Sequence, residues 1–210
     1  MKIGIFGSGM IGGTLAKLWV NAGHEVQFGA RAPEQTRAKA QSIDARVGVD
    51  TLSATSKWAE AVLLAIPLHA TPDVASSIAE GVRGKPVLDA GNAIPRRDGA
   101  AADAAGALGT GPWVAAFLPG AHVVKAYNTV YYQTIATQAH RAPPLVGVPL
   151  CGDDEGALSV AERLVRDSGL EPVRVGKLAD SRSIDFGSPV WNSNMTRDEI
   201  IRALGVGASQ

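Results

Sequence analysis

Short apolar runs alternate with segments of helical period along most of the chain. Lys2–Phe6, Glu25–Phe28, Arg46–Val49, Ala61–Ile66, Pro86–Asp89, Val123–Tyr127, Leu145–Leu150 and Pro172–Val175 read as strands. The runs near Val62 and Val123 are almost wholly apolar, as strands covered on both faces require. Ile11, Leu15, Leu18, Trp19 and Ala22 fall on one face of a helix that stops at Gly23. Pro72, after Thr71, opens another helix, with Val74, Ile78 and Val82 inward. A third runs from Glu155 to Ser168, with Val160, Leu164 and Val165 inward and Gly169 as its stop. Thr196 and Glu199 have capping-box spacing and open a short helix that ends before Gly205. Gly99–Gly111 is Ala/Gly-rich and weakly patterned: a loose helix, a loop over a cleft, or both. The tail Val206–Gln210 reads as frayed. Strands alternating with helices predict an α/β fold with a doubly wound, mostly parallel sheet of about eight strands and a small C-terminal extension. Residues 1–210 read as a single domain. Its core lies over 1–130, and 140–210 adds strands, a helix and a C-terminal region.

Composition narrows the classes. Apolar residues make up 46% and charged ones 19%, with Lys+Arg and Asp+Glu balanced at 20 each. No basic field is on offer for a nucleic acid or an anionic membrane, so neither is expected as a partner. The single cysteine, Cys151, excludes an internal disulfide and reads as a small core residue. The histidines are too scattered to suggest a metal site, and His24 reads as part of a turn after Gly23. Trp58, Trp113 and Trp191 are too separated to form a stacking box and read as core or interface. No run reaches the ~20 apolar residues of a membrane span, and the opening residues read as a strand and not a signal peptide. The expected compartment is the cytoplasm.

Gly7-Ser8-Gly9-Met10-Ile11-Gly12 is a GxGxxG run placed directly after a strand and at the head of an amphipathic helix. In that context it predicts a Rossmann dinucleotide site. Gly7 permits the tight turn, Gly9 lets the backbone approach a pyrophosphate, and Gly12 allows close helix–strand packing. The helix N-terminus supplies free N–H groups for phosphate. The end of the second strand chooses the dinucleotide. An acid there would bond the ribose hydroxyls and repel a 2′-phosphate, but the sequence reads Gly29-Ala30-Arg31-Ala32-Pro33, with no carboxylate before Glu34. Arg31 can grip a phosphate through paired hydrogen bonds, and Arg37 and Lys39 could add charge. NADP is therefore expected over NAD.

Other candidates lie at the carboxyl ends of later strands, where ligands of doubly wound sheets bind. Ile66 and Pro67 would lie against the cofactor. His69 has no partner carboxylate in its local sequence, so it reads as a cofactor contact or surface residue before a catalyst. Asn92 is placed to reach the nicotinamide ribose, and Asp89 to anchor a turn. Lys125 and Asn128 suggest the Lys/Asn pair of hydroxyacid dehydrogenases, but that pair sits on a helix at a different spacing, and here both fall at a strand end.

Together, Lys2–Arg31, Ala65–His69, Val87–Asn92, Val123–Thr129 and Val148–Asp154 resemble, in order, the NADP oxidoreductase, coenzyme F420-dependent family, and the related reductase domain of the STEAP metalloreductases. The resemblance implies an enzyme that transfers a hydride between NADPH and a deazaflavin (coenzyme F420), flavin or similar acceptor. Ser8, Gly9, Met10 and Ile11 would cradle the pyrophosphate, Arg31 would take the 2′-phosphate, and Ile66, Pro67 and Asn92 would line the path to the nicotinamide. It also implies a homodimer, with an acceptor or dimer region near the C-terminus. The chain departs from the family at Ala30 and Gln35, where a hydroxyl and a lysine are frequent, and across Ser183–Met195. Two other readings stay open. A reductase of a small imine or carbonyl compound would need a proton donor such as His69, Lys125 or Tyr127, and an NADP-sensing module would need none.

Overall fold

The computed structural model describes residues 1–207. Its frame is one sheet of eight strands in the order β3-β2-β1-β4-β5-β6-β7-β8. In chain order, β1 (Lys2–Phe6), α1 (Met10–Asn21), β2 (Glu25–Ala30), α2 (Pro33–Ile43), β3 (Gly48–Thr51), α3 (Leu52–Trp58) and β4 (Ala61–Leu64) form the first half. A 3-10 turn at Leu68–Ala70 leads into α4 (Thr71–Ile78) and β5 (Pro86–Asp89). Three helices follow, α5 (Pro95–Asp98), α6 (Ala100–Leu108) and α7 (Thr110–Ala116), before β6 (His122–Lys125) and α8 (Tyr132–Gln138). The chain closes with β7 (Gly147–Gly152), α9 (Glu155–Asp167), β8 (Glu171–Gly176), a 3-10 helix at Leu178–Ile184 and α10 (Arg197–Leu204). All pairings are parallel except β6 with β7. The order reverses between β1 and β4, so this is the Rossmann plan, and a crevice opens at that reversal.

Alternation along each strand feeds two apolar layers. On one face Ile3, Ile5, Leu63 and Val124 meet Leu15 and Trp19 of α1 and Leu164 of α9. On the other, Phe6, Val62, Leu64 and Val87 meet Val74 and Ile78 of α4 and Val114 of α7. Trp19 also donates its indole N–H to Leu164 O at 2.8 Å, so the first helix is pinned to the ninth. A smaller cluster of Val173, Val175, Ile184, Val190 and Ile200 covers the end of the sheet. Val206 packs against it, unlike the frayed tail expected there, and residues 208–210 lie outside the described ones.

Several boundaries differ from the sequence expectation for local reasons. The third strand starts at Gly48 because Arg46 is held in a turn, its N–H and guanidinium both on Asp44 at 2.8–2.9 Å. The sixth ends at Lys125 because Tyr127 takes φ 62°, a left-handed conformation no strand continues through. Residues 99–111, left open between helix and loop, form α6 and the start of α7, broken at Gly109. Cys151 sits inside β7, and burial, helped by Asp180 and Asp185, pushes its thiol up to about 12. That is the inert core cysteine expected.

Candidate functional site

The turn from β1 into α1 is built on three glycines with three different constraints. Gly7 has φ 111°, and a Cβ there would stand 2.2 Å from Ala65 O. A Cβ on Gly12 would stand 2.0 Å from Gly7 O. A Cβ on Gly9 would meet nothing within 4 Å, and its backbone is extended (φ −73°, ψ −159°). No protein atom explains a glycine at that position. The free space at the head of α1, beside unpaired helix N–H groups, fits a pyrophosphate.

From this turn a groove runs both ways along the carboxyl edge of the sheet. One half, a cavity of about 530 Å³, is bounded by Gly7, Ser8 and Gly9, by Arg31 and Gln35, and by His69 and Asp73. The other, about 380 Å³, is bounded by Met10, Ile11 and Asn92, by Asn128 and Thr129, and by an aromatic wall of Tyr131, Tyr132 and Trp191. Ala65, Ile66 and Pro67 form the floor common to both. The structure thus brings Gly7, Ser8, Gly9, Met10, Ile11, Arg31, Ile66, Pro67 and Asn92 to one groove, with Gly12 packed beneath the turn.

Its charge differs from expectation in two places. Arg37 folds back on Glu34 with contacts of 3.0–3.2 Å and does not reinforce Arg31. Lys39 faces a separate groove beside α1, along with Lys17. Arg31 stays exposed at the rim of the first cavity. Glu34, the first carboxylate after β2, is the one Arg37 engages.

Behind the second cavity the polar groups are tightly held. Asp89 accepts the Gly91 N–H at 2.8 Å, the turn anchor expected of it. Lys125, fully buried, donates to Asp89 at 2.8 Å and to Gly91 O. Asn92 donates to Asn128 O at 2.8 Å, and Asn128 donates to Ile184 O at 2.6 Å. Asn128 Oδ1 and Thr129 Oγ1 are buried without a partner, although both residues line the cavity. Such orphaned acceptors and hydroxyls cost free energy unless a ligand or water meets them. Tyr127 turns the other way. Its hydroxyl lies 3.1 Å from both Leu164 O and Ser168 Oγ under α9, and burial, foremost, holds its phenol far above the ordinary value.

Three residues have partners here that their local sequence does not show. His69 does have a carboxylate partner, supplied by Asp98 in α5, with Nδ1 to Oδ1 at 2.8 Å. Trp191, expected in the core or an interface, stands in the cavity wall and packs edge-on against Phe186 at 4.7 Å. His24 is buried against Asp167, Nε2 to Oδ2 at 2.9 Å, and does more than shape a turn. Among the described residues no cluster of His, Cys, Asp and Glu could hold a metal, and no helix is long and apolar enough to cross a membrane.

Comparison with known proteins finds relatives for this geometry. Residues 2–93 match the family described as NADP oxidoreductase coenzyme F420-dependent. The chain is 28% identical over 229 residues to the F420-dependent NADP reductase of Methanothermobacter marburgensis, across 98% of this chain and 97% of that one. It is 27% identical over 187 residues to the metalloreductase STEAP3 of Rattus norvegicus, covering 88% of this chain but only 36% of the relative's length. The crystal structure of the hypothetical protein SMa0349 from Sinorhizobium meliloti superposes with a TM-score of 0.79 at 28% identity, over 93% of this chain and 95% of that one. These likenesses bear out the resemblance read from the sequence, and with it the enzyme class, an NADP-dependent oxidoreductase.

Proposed function

We propose that the protein transfers a hydride between NADPH and a planar ring acceptor of the deazaflavin or flavin type. NADP would lie along the groove with its pyrophosphate over Gly9, its 2′-phosphate on Arg31 and its nicotinamide over Ile66 and Pro67, beside Asn92. When bound, it supplies the hydride chemistry, and the protein supplies proximity, orientation and a dry contact. The observation that carries the acceptor class is the second cavity's lining. Its outer wall is aromatic, and neither a carboxylate nor an imidazole is among its lining residues. Arg97, its one cationic side chain, is engaged by Asp98 at 2.8 Å. The three donors that the sequence offered for imine or carbonyl reduction are engaged elsewhere. Lys125 is fully buried on Asp89, Tyr127 borders the cavity but holds its hydroxyl under α9, and His69 belongs to the other half of the groove.

The test is NADPH oxidation against a panel of coenzyme F420, FMN, FAD, quinones, small imines and small carbonyls. Turnover is expected with ring acceptors. Turnover confined to imines or carbonyls, with a loss of ~10²-fold or more in Tyr131→Phe or Tyr132→Phe, would make a tyrosine the proton donor and overturn the positioning mechanism.

A further inference from the structure

His69 and Asn92 border opposite halves of the groove, and one buried carboxylate stands between them. Asp98 has no exposed side-chain surface. Its Oδ1 accepts from His69 Nδ1 at 2.8 Å, and its Oδ2 from the Ile94 N–H at 2.9 Å. Arg97 bonds both oxygens, and its Nη2 is shared between Asp98 Oδ2 and Asn92 O, each at 2.8 Å. Asn92 in turn reaches Asn128 O at 2.8 Å. The result is a continuous hydrogen-bonded chain, His69–Asp98–Arg97–Asn92–Asn128, passing from the adenosine-side cavity to the nicotinamide-side one.

We propose that Asp98 is a positioning residue that couples the two halves of the dinucleotide groove, with His69 as its contact on the adenosine side and the Arg97–Asn92 arm as its contact on the nicotinamide side. This rests on the dinucleotide reading above. Capping α5 uses the Ile94 N–H, and the His69 backbone N–H, 3.3 Å from Oδ1, ties the 3-10 turn to it. The bond to a half-exposed imidazole in one cavity and the shared guanidinium in the other go beyond that need. The chemistry of each link is directional. An ionised carboxylate only accepts, so Nδ1 of His69 must carry its proton, and Nε2 is left as the nitrogen free to meet a ligand. Burial opposes ionisation of Asp98, but Arg97, the Ile94 N–H and His69 outweigh it and hold the carboxyl down at about 2. A ligand that fixes the His69 ring therefore fixes Asp98, and through Arg97 the backbone at Asn92.

The experiment splits the cofactor. 2′,5′-ADP fills the adenosine half and reduced nicotinamide mononucleotide (NMNH) the other. Each is titrated alone and with the other at saturation, following calorimetric heat and the reduced-ring fluorescence. In the unaltered protein, saturating 2′,5′-ADP is expected to tighten NMNH by about fivefold or more, the lower end of ordinary coupling between sites. In Asp98→Asn each fragment still binds, but the mutual effect falls below about twofold. His69→Ala should behave like Asp98→Asn, and so should His69→Asn, whose amide can donate to Asp98 from near the Nδ1 position but has no atom at the Nε2 position for a ligand to meet. If Asp98→Asn does not fold, Arg97→Gln breaks the chain on its other side and should give the same loss. Full coupling in Asp98→Asn or Arg97→Gln, or none in the unaltered protein, overturns the proposal. Failure of the unaltered protein to bind 2′,5′-ADP, NMNH or NADPH at all would instead overturn the dinucleotide reading beneath it.

Discussion

Arg31 and Glu34 stand three positions apart and meet different fates. The arginine is left exposed on the groove, while the glutamate is clasped by Arg37. Arg31→Ala is accordingly expected to weaken NADPH binding by about 1.5–3 kcal/mol, the range of a charged hydrogen bond, and to leave NADH nearly unchanged. Calorimetry with both cofactors decides it, since equal losses would remove Arg31 from the 2′-phosphate. A second residue-scale expectation concerns acid. The carboxyl of Asp98 sits near 2 in the folded chain, below its unfolded value of ~3.9. Its contribution, about 2 kcal/mol, is therefore complete above about pH 5 and lost as pH falls through about 2. In urea melts the stability gap between the native protein and Asp98→Asn should close over that interval, and a gap independent of pH would refute the assignment. The two residues differ in how far the sequence reveals them. Arg31 is legible because the motif fixes its position and the missing acid gives its meaning. Asp98 is not, because its partner His69 lies in another loop and only the packing of α5 against the 3-10 turn brings them together.

At the scale of elements, the glycine turn separates folding from binding. A Cβ at Gly9 would meet nothing within 4 Å, and the extended backbone there suits a β-branched residue, so Gly9→Val should keep its melting temperature while losing dinucleotide binding. Gly12→Val would drive a side chain into Gly7 O and should lose stability as well. Comparing melting curves and NADPH titrations of both variants checks the pair, and retained binding in Gly9→Val would move the phosphate site elsewhere. The link between β5 and β6 gives another test. Lys125→Met leaves Asp89 buried and uncompensated, which should cost ~3–5 kcal/mol by denaturant unfolding. A much smaller loss would show that water reaches Asp89. Seven of the eight strands are visible as apolar stretches covered on at least one face by a helix, while β3, Gly-Val-Asp-Thr, buries none of its residues fully. Their ends were less so. Arg46 in its turn and Tyr127 at φ 62° are polar or strained details that hydrophobic periodicity does not register.

For the whole molecule, the division into a core and an addition is weaker in space than in sequence. Trp19 and Tyr127 both hydrogen-bond Leu164 O, and Leu158, Ala161 and Val165 of α9 complete the apolar layer over β5 and β6, beside α1. A chain ending near residue 140 should therefore lack fixed packing. Strong binding of an apolar dye and loss of the near-ultraviolet dichroism of Trp19 would show it, and a cooperative melt in that fragment would show the reverse. The groove is shared out differently. Its glycine turn, Arg31, floor and Asn92 all fall within residues 2–93, the stretch that matches the family. Its aromatic wall comes from two short pieces further on, around Tyr131 and Trp191. Asn128 ties the second piece in place through Ile184 O, and Asp185 through the Thr110 N–H at 2.9 Å. Inheritance can act on the two parts separately. Under the proposed function, descendants of this chain could change what they reduce by drift around Tyr131 and Trp191, and keep unaltered the stretch that would hold NADPH.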